Sequence, residues 1–225
     1  MAARRLSLIE TTRFGVPLGG RWFRAEEAVV AEHSKRPGFL IAWDIPHKAR
    51  IFGIYQGITL DELSRCLDRV PAERRYGYQM LLHTQDCPGY MVLQWKGKLE
   101  RDHETLREAL RRLSPRCYSA FAQKPPDIVS YCNTRTHPAR RHALHSYIVI
   151  VKNMVFSNNH DGFMRAFFKL GMPEINLDVY AQNHQLLLPN CRTFGSGTPL
   201  TRLDIQAPLF RIPTLHNETG LLLMD

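Results

Sequence analysis

The chain has 225 residues, 44% of them hydrophobic, and thirty basic against twenty-one acidic side chains leave a net charge of +9. A chain of this length buries roughly 70% of its unfolded surface, which supports one compact domain or one domain with two lobes without disulfide or metal staples. Its apolar content excludes wholesale disorder, and no apolar run reaches the roughly 20 residues of a membrane-spanning helix. The longest, Tyr147 to Phe156, is broken by Lys152 and Asn153.

In chain order, the start carries Arg4 and Arg5 but not the apolar core of roughly 7–15 residues that a secretory signal needs. Residues 1–35 read as an N-terminal extension with a short helix from Ala25 to Ser34. Gly38–Asp44 and Arg50–Gln56 read as strands joined by a turn at Pro46-His47-Lys48. Thr59 with Glu62 three residues on is a capping box, and Leu60, Leu63, Leu67 and Val70 give the helix it opens one apolar stripe. Strands follow at Tyr78–His83 and Tyr90–Trp95 around an Asp86-Cys87-Pro88-Gly89 turn, then a helix from Arg101 to Leu113. That helix turns Leu106, Ala109, Leu110 and Leu113 inward and leaves Arg107, Arg111 and Arg112 outside. Residues 121–139 are Pro-rich and polar, with one strand at Ile128–Cys132. Ala143–Val151 is apolar on both faces and is expected at the centre of a sheet. A helix capped by Asn158 or Asn159 runs to Leu170, and short strands follow at Ile175–Tyr180, Gln185–Leu188 and Leu200–Ile205. The pattern is α+β, with residues 36–225 forming a single core domain.

The five cysteines, Cys66, Cys87, Cys117, Cys132 and Cys191, form no CxxC, which excludes a zinc ribbon or redox pair and suits reduced thiols inside a cell. There is no Gly-rich phosphate loop, GxSxG or HExxH. A pI near 9.6 points to a polyanionic partner, most simply nucleic acid. The densest polar cluster, Thr134–His145, holds Arg135, His137, Arg140, Arg141, His142 and His145. It reads either as a solvated basic turn or as a phosphate site with Arg141 and His145 as donors. A metal site is disfavoured, because His142 and His145 would point to opposite faces of a strand.

Taken together, three segments resemble the archaeo-eukaryotic primases of the primase-polymerase type over roughly residues 36–205. CPGYMVLQW (87–95) resembles the first motif, Cys-x-x-Tyr-Phe-Asp-Leu-Glu-Phe. RRHALHSYIVI followed by NMVFSNNHDGFMRAF resembles the second, basic-x-Ser-x-His. INLDVYAQNHQLLL resembles the third, Val-Asp-x-x-Val-Tyr-x-x-Asn-Arg-x-Phe-Arg-Leu. The resemblance implies a nucleotidyltransferase-type fold: an RRM-like sheet in the second half packed on a smaller N-terminal α/β unit. The cleft between them would be lined by Val92, Gln94, His145 and Asn176. Members of that family often carry a C-terminal zinc module, but none is expected here, because the chain ends too soon and lacks the cysteines for one.

The family's three metal-binding carboxylates fall here on Val92, Gln94 and Asn176. Val92 cannot ligate, and two neutral carbonyls do not replace the carboxylates that magnesium needs. Asp178 is a possible substitute, since on a strand it would share the face of Asn176; Asp44, Asp86, Glu100 and Asp102 are looser ones. The phosphate-binding positions implied are Arg141, His145, Asn183 and Arg192, with Ala143 in place of the Ser, His184 and Leu187 in place of two arginines, and Thr193 near a family Lys. Arg74, Arg75 and Arg140 are the DNA-contact candidates.

The expectation is a degenerate primase-like pseudoenzyme, acting in DNA replication or repair as a DNA-binding or accessory factor. Single-stranded or primer-template DNA would be its partner, with or without a catalytic replication subunit. No cofactor is expected, no membrane is involved, and its place is intracellular, at the nucleus or a replication site rather than the mitochondrion. The alternatives are an active primase or polymerase with displaced ligands using Mg or Mn, a protein–protein scaffold, and a basic RNA-binding domain.

Overall fold

The structure, a computed structural model, describes residues 5–46, 49–82, 87–97, 103–117, 128–136, 143–156, 171–180, 184–194 and 198–203. It is α+β with antiparallel sheets, and falls into two compact units. Unit one is Met1–Leu81 with Gln185–Phe194; unit two is Leu82–His184 with Gly195–Asp225.

Unit one opens with α1 (Leu8–Phe14), closed at its start by a Ser7/Glu10 capping box and at its end by Gly15 in the left-handed conformation. Then come β1 (Arg21–Phe23), α2 (Glu26–Lys35), β2 (Phe39–Trp43), β3 (Ile51–Tyr55), α3 (Leu60–Asp68), a 3-10 turn at Ala72–Arg74 and β4 (Gly77–Leu81). Thr59 and Glu62 cap α3 reciprocally, and Leu63 and Val70 are buried beneath it. The sheet runs β1-β3-β2-β4-β8, its last strand β8 (His184–Leu187) returning from far along the chain. The residues expected as an extension are woven into this unit. Leu6 N–H donates to Trp22 O (2.8 Å), and β1 pairs with β3.

Both faces of this sheet are buried, so its inner strands β2 and β3 are apolar throughout rather than alternating. Two glycines make room for its largest side chains. A Cβ on Gly53 would stand 2.8 Å from the Trp22 ring, and one on Gly77 would stand 2.7 Å from Trp43. Trp22 in turn meets Trp43 and Tyr55 edge to face.

Unit two holds β5 (Cys87–Gly97), α4 (His103–Cys117), β6 (Ile128–Thr136), β7 (Ala143–Phe156), a 3-10 turn at Leu177–Tyr180 and β9 (Thr201–Leu203). Its sheet runs β5-β7-β6-β9, so β7 is an interior strand as its apolar sequence requires. Leu106, Ala109 and Leu110 of α4 are buried.

Two expectations are corrected. The turn expected at Asp86-Cys87-Pro88-Gly89 is one: Cys87–Gly89 already belong to β5, and β4 and β5 lie in different sheets. The segment 175–180 is no strand. Only Ile175 bridges β5, opposite Leu93, and the chain then tightens into the 3-10 turn. The expected helix ending at Leu170 lies outside the described residues. No described helix is long and apolar enough to cross a membrane.

Candidate functional site

The site is built on β5. Gln94 N–H donates to Glu174 O (2.9 Å) and Asn176 N–H to Val92 O (2.8 Å), which lays residues 174–176 antiparallel along the outer edge of β5. On its other side β5 pairs with β7: Val92 faces Ile148, Gln94 faces Ser146 and Trp95 faces His145. Directly opposed residues of an antiparallel pair share a face, and neighbours along a strand alternate.

Val92, Gln94 and Asn176 are therefore brought together. The Asn176 amide Nδ2–H donates to Gln94 Oε1 (3.0 Å), and Gln94 Nε2–H donates to Ser146 Oγ (3.2 Å). Three neutral polar side chains form a row across three backbone segments. Glu174 is drawn away to α4, where Arg112 Nη2–H donates to its carboxylate; that bond holds the Arg112 guanidinium above its ordinary pKa.

His145 does not join this row. Its pairing with Trp95 puts it on the opposite face, fully buried. There Trp95 stacks on Tyr147 with ring centroids 4.6 Å apart, and Gly97 leaves space for the imidazole, since a Cβ on it would stand 3.0 Å from His145 Cδ2. The common lining expected of Val92, Gln94, His145 and Asn176 is corrected to Val92, Gln94, Ser146 and Asn176. Ser146 was missed because the motif directs attention to His145. The signal that finds it is the strand alternation itself.

Asp178 lies in the 3-10 turn Leu177–Tyr180, so the alternation that would align it with Asn176 does not hold. Asp44 is engaged by Arg50, whose Nε donates to Asp44 Oδ1 at 2.5 Å. Asp86, Glu100 and Asp102 lie outside the described residues, as do Arg140, Arg141 and Asn183.

Of the other basic candidates, Arg74 is exposed. Arg75 is committed to its own unit. It donates from Nε to Val70 O (2.8 Å), from Nη2 to Asp68 O (2.8 Å) and from Nη1 to the Asp68 carboxylate (3.0 Å), closing the end of α3. Arg192 is half-buried in unit one, its N–H donating to Arg75 O (2.8 Å). It follows Cys191, whose thiol burial pushes up to about 12. On α4, Arg107 pairs with Glu104 (3.1 Å) and Arg111 with Glu108 (3.2 Å).

No family model matches this chain, and no curated protein matches it.

Proposed function

We propose that the chain is a catalytically degenerate protein of the primase-polymerase type, with an RRM-like sheet in unit two. It binds single-stranded or primer-template DNA as an accessory factor in replication or repair, beside a catalytic subunit at an intracellular site of DNA synthesis. One observation carries the reading. The positions singled out by resemblance, two on β5 and one 82 residues from Gln94, converge on a single hydrogen-bonded point. A valine, two primary amides and a serine hydroxyl occupy it, where metal-dependent phosphoryl transfer wants carboxylates. Removing negative charge from a chain that already carries +9 favours phosphate over metal.

The test is a paired assay on the purified chain: primer synthesis and extension with magnesium or manganese, and binding of labelled single-stranded DNA at two salt concentrations. The expected result is binding that weakens steeply with salt, without incorporation. Incorporation lost on Asp178→Ala would establish the active alternative. Neither binding nor incorporation would leave a scaffold.

A further inference from the structure

The sheet face that carries Gln94 is closed at one end and open at the other. Along β5, Tyr90 and Val92 are buried, Gln94 is half-buried and Lys96 is exposed. Along β7, Ile150 and Ile148 are buried while Ser146 and Leu144 are half-buried. The amide row lies where the face opens, with the Lys96 ammonium beyond it.

Within the row, Gln94 accepts one hydrogen bond and donates one. A primary amide can accept two and donate two, so among the described residues its carboxamide keeps one acceptor and one donor for a ligand. The links to Asn176 and Ser146 hold that carboxamide in place, which lowers the entropy cost of engaging something else.

We propose that this row hydrogen-bonds the edges of unpaired bases in single-stranded DNA, with Lys96 taking an adjacent phosphate. The inference rests on the DNA-binding reading and deepens it. The pairing edge of every base sets a donor beside an acceptor. A neutral amide complements any of them, whereas a carboxylate at the same place only accepts and repels the backbone. In a duplex those edges are already used. The row thus reads strandedness rather than sequence, and the replacement of carboxylate by amide is what makes the face a base-contacting one.

The experiment is fluorescence anisotropy with a labelled mixed-sequence oligonucleotide, single-stranded and annealed to its complement, across a salt series. The full chain is compared with Gln94→Met and Gln94→Glu. Gln94→Met removes the donor and the acceptor. Gln94→Glu keeps both links, since a carboxylate accepts from the Asn176 amide and from the Ser146 hydroxyl, so it decides the matter if Gln94→Met fails to fold. The unaltered chain should prefer the single strand. Gln94→Met should lose about tenfold in single-strand affinity with duplex affinity unchanged, and Gln94→Glu, whose charge also repels the backbone, should lose more on the single strand than on the duplex. For Gln94→Met the slope of affinity against salt should also stay the same, because no phosphate contact is removed. Variants that bind the single strand like the unaltered chain, or that lose single strand and duplex alike, overturn this inference and leave the DNA-binding reading standing. No salt-dependent binding by the unaltered chain overturns both.

Discussion

Trp95 stands directly opposite His145 across β5 and β7, so His145 belongs to the face turned away from Gln94. A phosphate-binding histidine at this position would have to share a face with the amide row. His145→Ala is therefore expected to act through packing. It should lower stability by about 2 kcal/mol, as loss of a fully buried side chain does, and leave DNA affinity unchanged. Urea denaturation and anisotropy on the same preparation separate the two effects; an affinity loss at unchanged stability would return His145 to the binding surface.

The Gln94–Asn176 contact can be probed directly. In a Gln94→Glu/Asn176→Asp double variant, two carboxylates replace amides whose polar atoms are 3.0 Å apart. Like charges that close raise one carboxyl pKa and disfavour the folded state at neutral pH. The double variant should melt below the unaltered chain, and millimolar manganese should restore part of the loss by binding only the folded form. A melting temperature indifferent to manganese would count against this point being a former metal site.

Arg50 ties the two sequence pieces of unit one together. It donates to Asp44 through Nε (2.5 Å) and Nη2 (3.0 Å), donates through Nη1 to Gln185, and lies over the Tyr78 ring at 4.5 Å. Arg50→Met should cost about 2 kcal/mol, the scale of charge-assisted hydrogen bonds, by chemical denaturation. A change within about 0.5 kcal/mol, typical of an unconstrained surface site, would mean that the network is ornamental.

His33 sets a pH dependence. Its Nδ1 accepts from Gly38 N–H (3.3 Å) at the exit of α2, and burial penalises the imidazolium, holding its pKa below the usual histidine value. A group with a depressed folded pKa contributes stability above its unfolded value, and that contribution is lost as pH falls through the folded one. The chain should be less stable at pH 5.5 than at pH 7.5. His33→Asn, which keeps an acceptor for Gly38 but does not titrate, should narrow the difference; an undiminished difference would assign it to other groups.

Much of this architecture can be read from the residues. The capping box at Thr59 and Glu62 and the doubly apolar β7 each carry their cause in the local sequence. The same capping signal stands at Ser7 and Glu10, yet α1 escapes a pattern search because its Leu8 and Ile9 are exposed. The separation of β4 from β5 has no local signature: turn residues between two apolar runs suggest a hairpin, and only the distant partners β8 and β7 decide otherwise. At the site, the resemblance found the positions that converge, but the faces of β5 and β7 depend on register, which a motif does not encode. That is why Ser146 rather than His145 completes the row.

The late return of β8 has a consequence for synthesis. A ribosome releases β1 to β4 about a hundred residues before Gln185 emerges, a delay of several seconds at about 5–20 residues per second. During that interval the outer edge of β4 has no neighbour from its own sheet, and Arg50 must wait for its glutamine. Unit two, spliced between β4 and β8, can begin to condense before unit one is complete, leaving β4 as an edge in need of a chaperone's cover.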